Sequence, residues 1–191
     1  DASTGIAVKG YTKEKYKNQV ISIVKKYKPN YIAVGNEINI YNNQQEAIEV
    51  YNSIYDEIKK ISPDTKVFTV FQYEKLADKS MISKFKLDAI GITTYPFIKY
   101  SSPSEIPDKY YKELSDFSKP IIFSEIGWPG EEAVNFIDIF NSRLEKANIK
   151  PIIIIWGLLY DYAPMGYPWN SMGLFDANSK EKPVFAKWTQ D

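Results

Sequence analysis

The 191-residue chain has no cysteine and no histidine. Without cysteine there is no disulfide framework and no thiolate nucleophile, and without either residue the usual zinc ligands are missing. Histidine-based general-base or triad chemistry is excluded too, so acid–base work must fall to carboxylates, tyrosine or lysine. A charge excess is also missing. The 24 Lys+Arg residues balance 24 Asp+Glu, which leaves no basic footprint for nucleic acid and no polybasic patch for a membrane surface. No apolar run reaches the roughly 18 residues of a bilayer span, and no Asn-x-Ser/Thr acceptor is present. The chain opens on Asp1 rather than Met and carries no signal-peptide pattern. The start at Asp1 reads either as processing or as a cut piece of a longer sequence; the location stays open, with secretion or the cell surface favoured.

Aromatic residues are plentiful: 15 Tyr, 10 Phe and 4 Trp. Most aromatic side chains serve a core, but their faces also suit the C–H faces of neutral sugars, and the charge balance points to a neutral partner. With 44% hydrophobic and 25% charged residues, the composition suffices for one sizeable core or two small ones, and a single domain over residues 1–191 is the expectation.

Near-continuous apolar runs at 31–36, 66–72, 89–94, 120–125 and 151–156 alternate with amphipathic segments. Such runs are expected of parallel strands covered on both faces. The stretch 44–61, QQEAIEVYNSIYDEIKKI, keeps Ala47, Val50, Tyr51, Ile54, Tyr55, Ile58 and Ile61 at helical spacing, with Ser62-Pro63 as its stop. A helix over about 12–27 with Thr12 as N-cap, and another over about 131–148 carrying Val134, Ile137, Ile139 and Leu144, complete the pattern. Residues 95–107 and 157–178 read as long loops. Successive βα units build either an open doubly wound sheet or a (β/α) barrel. The barrel is favoured because no glycine-rich phosphate loop follows any strand. Moreover, Asn36, Glu37, Gln72, Tyr73, Tyr95, Glu125 and Trp156 all fall at carboxyl ends of strands, where barrel enzymes keep their sites.

Two of these strand ends carry a carboxylate: YIAVGNEINI ends its apolar run on Glu37, and PIIFSEIGWPG places Glu125 between apolar residues. An ionised carboxylate is costly to desolvate unless it is paired or hydrogen-bonded. Taken singly, either glutamate would more often be a solvated or salt-bridged strand end. As a pair three βα units apart, they point to chemistry.

VGNE at 34–37, SEIGWP at 124–129, Trp156 and the tail GLFDANSKEKPVFAKW together resemble the second part of a clan A retaining glycoside hydrolase. The likeness covers about residues 28–188. Within the clan, the motifs are most similar to the plant and fungal β-1,3-glucanases; the β-1,4-galactanases and the cellulase and mannanase families come next. Trp156 in WGLLYD departs from the glucanase pattern toward the cellulase-like families. The resemblance implies Glu37 as acid/base, Glu125 as nucleophile, Asn36 on the substrate 2-hydroxyl, Tyr95 holding Glu125, and Trp156 as the floor of the subsite where the bond breaks. It also implies a cis peptide bond between Trp156 and Gly157. Trp128, Tyr73 and Asp161 are further candidates for substrate contact, with loop packing as the alternative for each. Trp188 is assigned to the core.

The expected fold is a (β/α)8 barrel of the TIM type, cut down to about its last five βα units, because a whole barrel typically takes about 250 residues. Residues 1–10 read as the loop after a third strand. A five-strand arc leaves open edges, so a second chain or a second copy completing the barrel is an expected partner. The expected activity is retaining hydrolysis of a β-linked polysaccharide, with no metal or organic cofactor. An endo-β-glucanase is the leading reading, on β-1,3-glucan first and then β-1,4-glucan, galactan or mannan. The alternative is a non-catalytic carbohydrate-binding or assembly remnant of such an enzyme.

Overall fold

The computed structural model of the protein describes residues 12–190, so the loop expected at residues 1–10 lies outside them. The fold is mixed α/β with parallel strand pairs, and it divides between Thr93 and Thr94 into two compact units.

In the first unit, helix α1 (Lys13–Tyr27) starts where the Thr12 hydroxyl accepts from the Lys15 N–H at 3.2 Å. It buries Val20, Ile21 and Val24, and it stops at Lys28, which turns left-handed at φ 45°. Helix α2 (Gln44–Ile61) is capped by the Asn43 side chain, which accepts from the Glu46 N–H. Its buried stripe of Tyr51, Ile54 and Ile58 follows the 3–4 spacing of one helix face. Lys17 of α1 reaches across to Glu57 and Ser53 of α2, at 2.9 Å each.

Strand β1 (Tyr31–Ala33) pairs in parallel with β2 (Lys66–Phe68), and β3 (Val70–Gln72) pairs in parallel with β4 (Ile90–Thr94). The run read as one strand over 66–72 is thus two short strands that part at Thr69. The reason lies in the hydrogen bonds. Thr69 turns its carbonyl to the Gly91 N–H (3.0 Å) and its hydroxyl to the Gly35 carbonyl (3.2 Å), so pairing passes from β1 to β4 across this residue. Gly91 is obligatory at the crossing, because a Cβ there would lie 2.8 Å from the Thr69 carbonyl oxygen. Every residue of β4 is buried, as a strand covered on both faces requires.

In the second unit, β5 (Ile121–Ile126) pairs in parallel with β6 (Ile153–Trp156). The register shifts between Phe123 and Ile126, so Ser124 and Glu125 together stand opposite Ile155 in a β-bulge. Helix α3 (Ala133–Ala147) buries Ala133, Phe136, Ile137, Phe140, Leu144 and Ala147. Of the four apolar residues noted in the sequence, Ile137 and Leu144 are buried and Val134 and Ile139 only half-buried, and the phenylalanines share the core. Phe140 meets Tyr111 and Phe123 edge-on, at centroid distances of 5.7 and 5.0 Å. The buried Arg143 points Nε and Nη2 at the Ile106 carbonyl (2.9 and 2.7 Å), which pins the long loop after β4 to α3. Helix α4 (Pro183–Trp188) ends on Trp188, which is half-buried against Trp156 at 5.6 Å.

Asp88, in the turn before β4, ties together β2 and α2 of the first unit. Its carboxylate accepts from the Val67 N–H of β2 (2.9 Å) and from Lys59 and Tyr55 of α2 (3.1 Å each). Burial pushes the Asp88 carboxyl upward, but the bonds from Val67, Lys59 and Tyr55 outweigh it and hold the group below the usual carboxylate range. Because the folded pKa is depressed, this contribution to stability is fully present above the unfolded value of about 3.9 and is lost as pH falls through the lower folded value. Asp88→Asn should therefore lower stability at neutral pH by roughly 1–3 kcal/mol, the scale of a charged hydrogen bond lost from a partly buried site. It should also flatten the acid limb below about pH 4, and urea unfolding at a series of pH values reads both effects.

Candidate active site

The first motif turn is built by restraint of its backbone. Gly35 sits at φ +90°, and a Cβ there would press on the Thr69 hydroxyl (3.2 Å) and on Ile38 (3.3 Å). Its carbonyl accepts from both Thr69 Oγ1 and the Val70 N–H (3.3 Å). Two residues on, Glu37 is itself left-handed at φ 48°, ψ 46°, a conformation that costs a side-chain-bearing residue about 1–2 kcal/mol. The turn Ile38–Ile40 follows, with Ile38 buried. Asn39 then clamps the end of β3: its Oδ1 accepts from the Gln72 N–H (2.8 Å), and its Nδ2 donates to the Gln72 carbonyl (2.9 Å). The Thr93 hydroxyl of β4 donates to Glu37 Oε1 at 2.8 Å. Asn36 is exposed, and Tyr73 is buried just past β3 with the Lys79 ammonium 5.3 Å from its ring centroid.

The second motif stands on the β5 bulge. Glu125 is half-buried, and its Oε2 accepts from the Tyr95 hydroxyl at 2.7 Å. The Tyr95 ring is buried and meets Trp169 edge-on at 4.9 Å. Phe97 sits 5.0 Å from Trp169 and 6.0 Å from Trp128. Gly157, the residue after β6, makes room for this arrangement, since a Cβ there would lie 2.7 Å from the Tyr95 hydroxyl oxygen.

Other candidates of the second unit are placed differently. Trp128 is 3% exposed and stacks on Phe136 at 5.6 Å. Trp156 is 6% exposed, and its Nε1 donates to the Met172 carbonyl at 2.7 Å. Asp161 accepts from the Gly173 N–H (2.7 Å) and pairs with Lys182 (2.8 Å), whose ammonium also donates to the Ser171 carbonyl (2.9 Å). That knot secures the loop after β6. Among the described residues the only cis peptide bond is Tyr167–Pro168, so the cis bond expected at Trp156–Gly157 is corrected to trans. Sequence reading missed Thr93, Asn39 and Trp169. For Thr93 a signal was available: it lies two residues before Tyr95 on a strand of period two.

No protein-family model matches this sequence, and no curated protein matches it significantly. Solved structures do. The GH53 catalytic domain of Ignisphaera aggregans is 16% identical at a TM-score of 0.65, with 94% of this chain covered and 66% of that one. Xylanase 10B of Thermotoga petrophila, solved with xylobiose, is 18% identical at 0.59, over 98% of this chain and 68% of that one. The β-D-glucuronidase of Dictyoglomus thermophilum is 19% identical at 0.67, over 95% and 36%. These neighbours are clan A glycoside hydrolases with TIM barrels, and the chain spans between 36% and 68% of their lengths. At such identities the likeness establishes the fold: mixed α/β with parallel sheets, matching part of a TIM-barrel chain.

The Gly157–Tyr95 approach is testable by a double-mutant cycle. Gly157→Ala should destabilise the protein by about 1–3 kcal/mol, because the Tyr95 ring is hemmed in by Phe97 and Trp169 and cannot withdraw. Adding Tyr95→Phe removes the clashing oxygen and should restore part of that loss. Strict additivity of the two changes in urea unfolding would contradict the contact.

Proposed function

We propose that the chain is the catalytic region of a retaining β-glycoside hydrolase, its two units acting as one domain, with Glu37 as acid/base and Glu125 as nucleophile. One observation carries this reading: each motif glutamate, Glu37 in the turn after β1 and Glu125 on the bulge of β5, accepts a hydrogen bond from a buried hydroxyl residue, Thr93 for Glu37 and Tyr95 for Glu125. The glycosidase neighbours support it at the level of fold.

The reaction needs two carboxyl groups about 5–5.5 Å apart, one protonated and one ionised. Glu37 gives its proton to the leaving glycosidic oxygen as a Glu125 oxygen attacks the anomeric carbon, so one C–O bond breaks and the glycosyl-enzyme ester forms. Glu37, now a carboxylate, takes a proton from water, and the water oxygen displaces Glu125 with net retention. Tyr95 occupies Oε2 of Glu125, which leaves Oε1 as the attacking oxygen. The exposed Asn36 is the group for the substrate 2-hydroxyl, and Trp156 is the floor of the cleavage subsite. Of the polymers this chemistry serves, β-1,3-glucan stands first on the motifs, followed by β-1,4-glucan, galactan and mannan, cut at internal bonds.

Glu125→Gln and Glu37→Gln should each lower turnover at least about 100-fold while leaving the unfolding curve little changed. Azide sharpens the assignment. With an activated aryl glycoside, Glu37→Ala plus azide should give the β-glycosyl azide through the covalent intermediate, and Glu125→Ala should give the α-azide by direct displacement. Near wild-type turnover in Glu125→Gln would overturn the nucleophile assignment. Retained glycan binding with no turnover by the unaltered protein would favour the non-catalytic remnant.

A second chain or copy belongs to the proposal. Ile152, just before β6, and Ile155 within it are 46% and 50% exposed, and β6 pairs with β5 and with no further strand among the described residues. Exposed apolar side chains beside an open sheet edge favour strand addition. Light scattering from micromolar concentration downward should show a mass that rises with concentration. A constant monomer mass would remove the partner from the proposal.

A further inference from the structure

We infer that Thr93 is the positioning residue for Glu37 and selects which carboxyl oxygen carries the transferable proton. The inference rests on the reading of Glu37 as acid/base and goes one step further. The Thr93 side chain is fully buried within β4, and its hydroxyl donates to Oε1 of Glu37 at 2.8 Å. A β-branched side chain in a buried strand has little χ1 freedom, so the backbone of β4 itself fixes the direction of that donor. The two threonines beside the motif divide the work. Thr69 spends its hydroxyl hydrogen on the Gly35 carbonyl and holds the turn, whereas Thr93 spends its own on the carboxyl group.

The consequence for the acid is specific. Oε1 accepts a hydrogen bond, so it serves as the carbonyl oxygen of the neutral carboxylic acid, and the proton resides on Oε2. The Glu37 backbone is left-handed, and the Thr93 bond gives its side chain a fixed direction. Thr93 does not touch the reacting atoms; it acts through Glu37.

The test uses Thr93→Val, which keeps the shape and removes the hydroxyl, and Thr93→Ser, which keeps the hydroxyl. In Thr93→Val, kcat/KM for an oligosaccharide with a sugar leaving group should fall about tenfold or more, a part of the usual acid contribution. For a dinitrophenyl glycoside, whose leaving group needs no proton, kcat/KM should change less than about twofold. Thr93→Ser should restore the oligosaccharide rate. Equal losses on both substrates, or no recovery with serine, would overturn the inference. A second readout needs no turnover: three-bond couplings that report χ1 of Glu37 should show one rotamer in the unaltered protein and in Thr93→Ser, and averaging in Thr93→Val. Unchanged couplings in Thr93→Val would sink the positioning role whatever the activity. A protein that cleaved no glycoside at all would defeat the glycosidase reading, and the couplings would still decide what Thr93 does.

Discussion

A carboxylate held beside buried parallel strands must be given a donor by the fold, and much of the architecture around Glu37 and Glu125 is arranged to supply one. Strands β4 and β5 are buried and apolar until Thr93 and Ser124, so their polar groups collect toward the strand ends. There, each acid is met by a hydroxyl whose own position is fixed by burial. The glycines follow from the same requirement. Gly35 lets the chain turn beneath Glu37, and Gly157 leaves room for the hydroxyl of Tyr95. The bulge at Ser124–Glu125 serves it too, since an extra residue on β5 re-aims the side chain at the point where pairing would otherwise carry it along the ladder.

Much of this was legible in the sequence, and the reasons are physical. Helices α1 and α2 announce themselves by spacing and by Thr12, Asn43 and Ser62-Pro63, all of which act locally. The strands are visible because continuous apolar runs have few other uses. What escaped notice depends on non-local pairing. Nothing within residues 66–72 says that Thr69 changes partners, because the instruction comes from Gly35 and Gly91. Which face of α3 turns inward was not legible, because period alone does not rank phenylalanine against valine for a core already filled by Tyr111 and Phe123.

The same limit applies to the candidate site. Glu37 and Glu125 stood out as carboxylates in apolar surroundings, whereas Thr93 looked like one more β-branched strand residue. Trp128, Trp156 and Asp161 lie where the sequence put them, at strand ends and in the loop that follows, but their surroundings could be seen only in three dimensions. The rings are enclosed by Phe136, Met172 and Trp188, and the aspartate is held by Lys182.

On the proposed reading of Glu37 as acid/base, its left-handed backbone sets folding against chemistry at a single position. Glycine adopts that conformation without a steric penalty, so a library sorted only by resistance to heat or protease would drift toward glycine at residue 37. Such a sorted population would keep the fold and discard the acid. Position 37 would therefore report, in any directed evolution of this chain, whether the sieve in use had been reading persistence or performance.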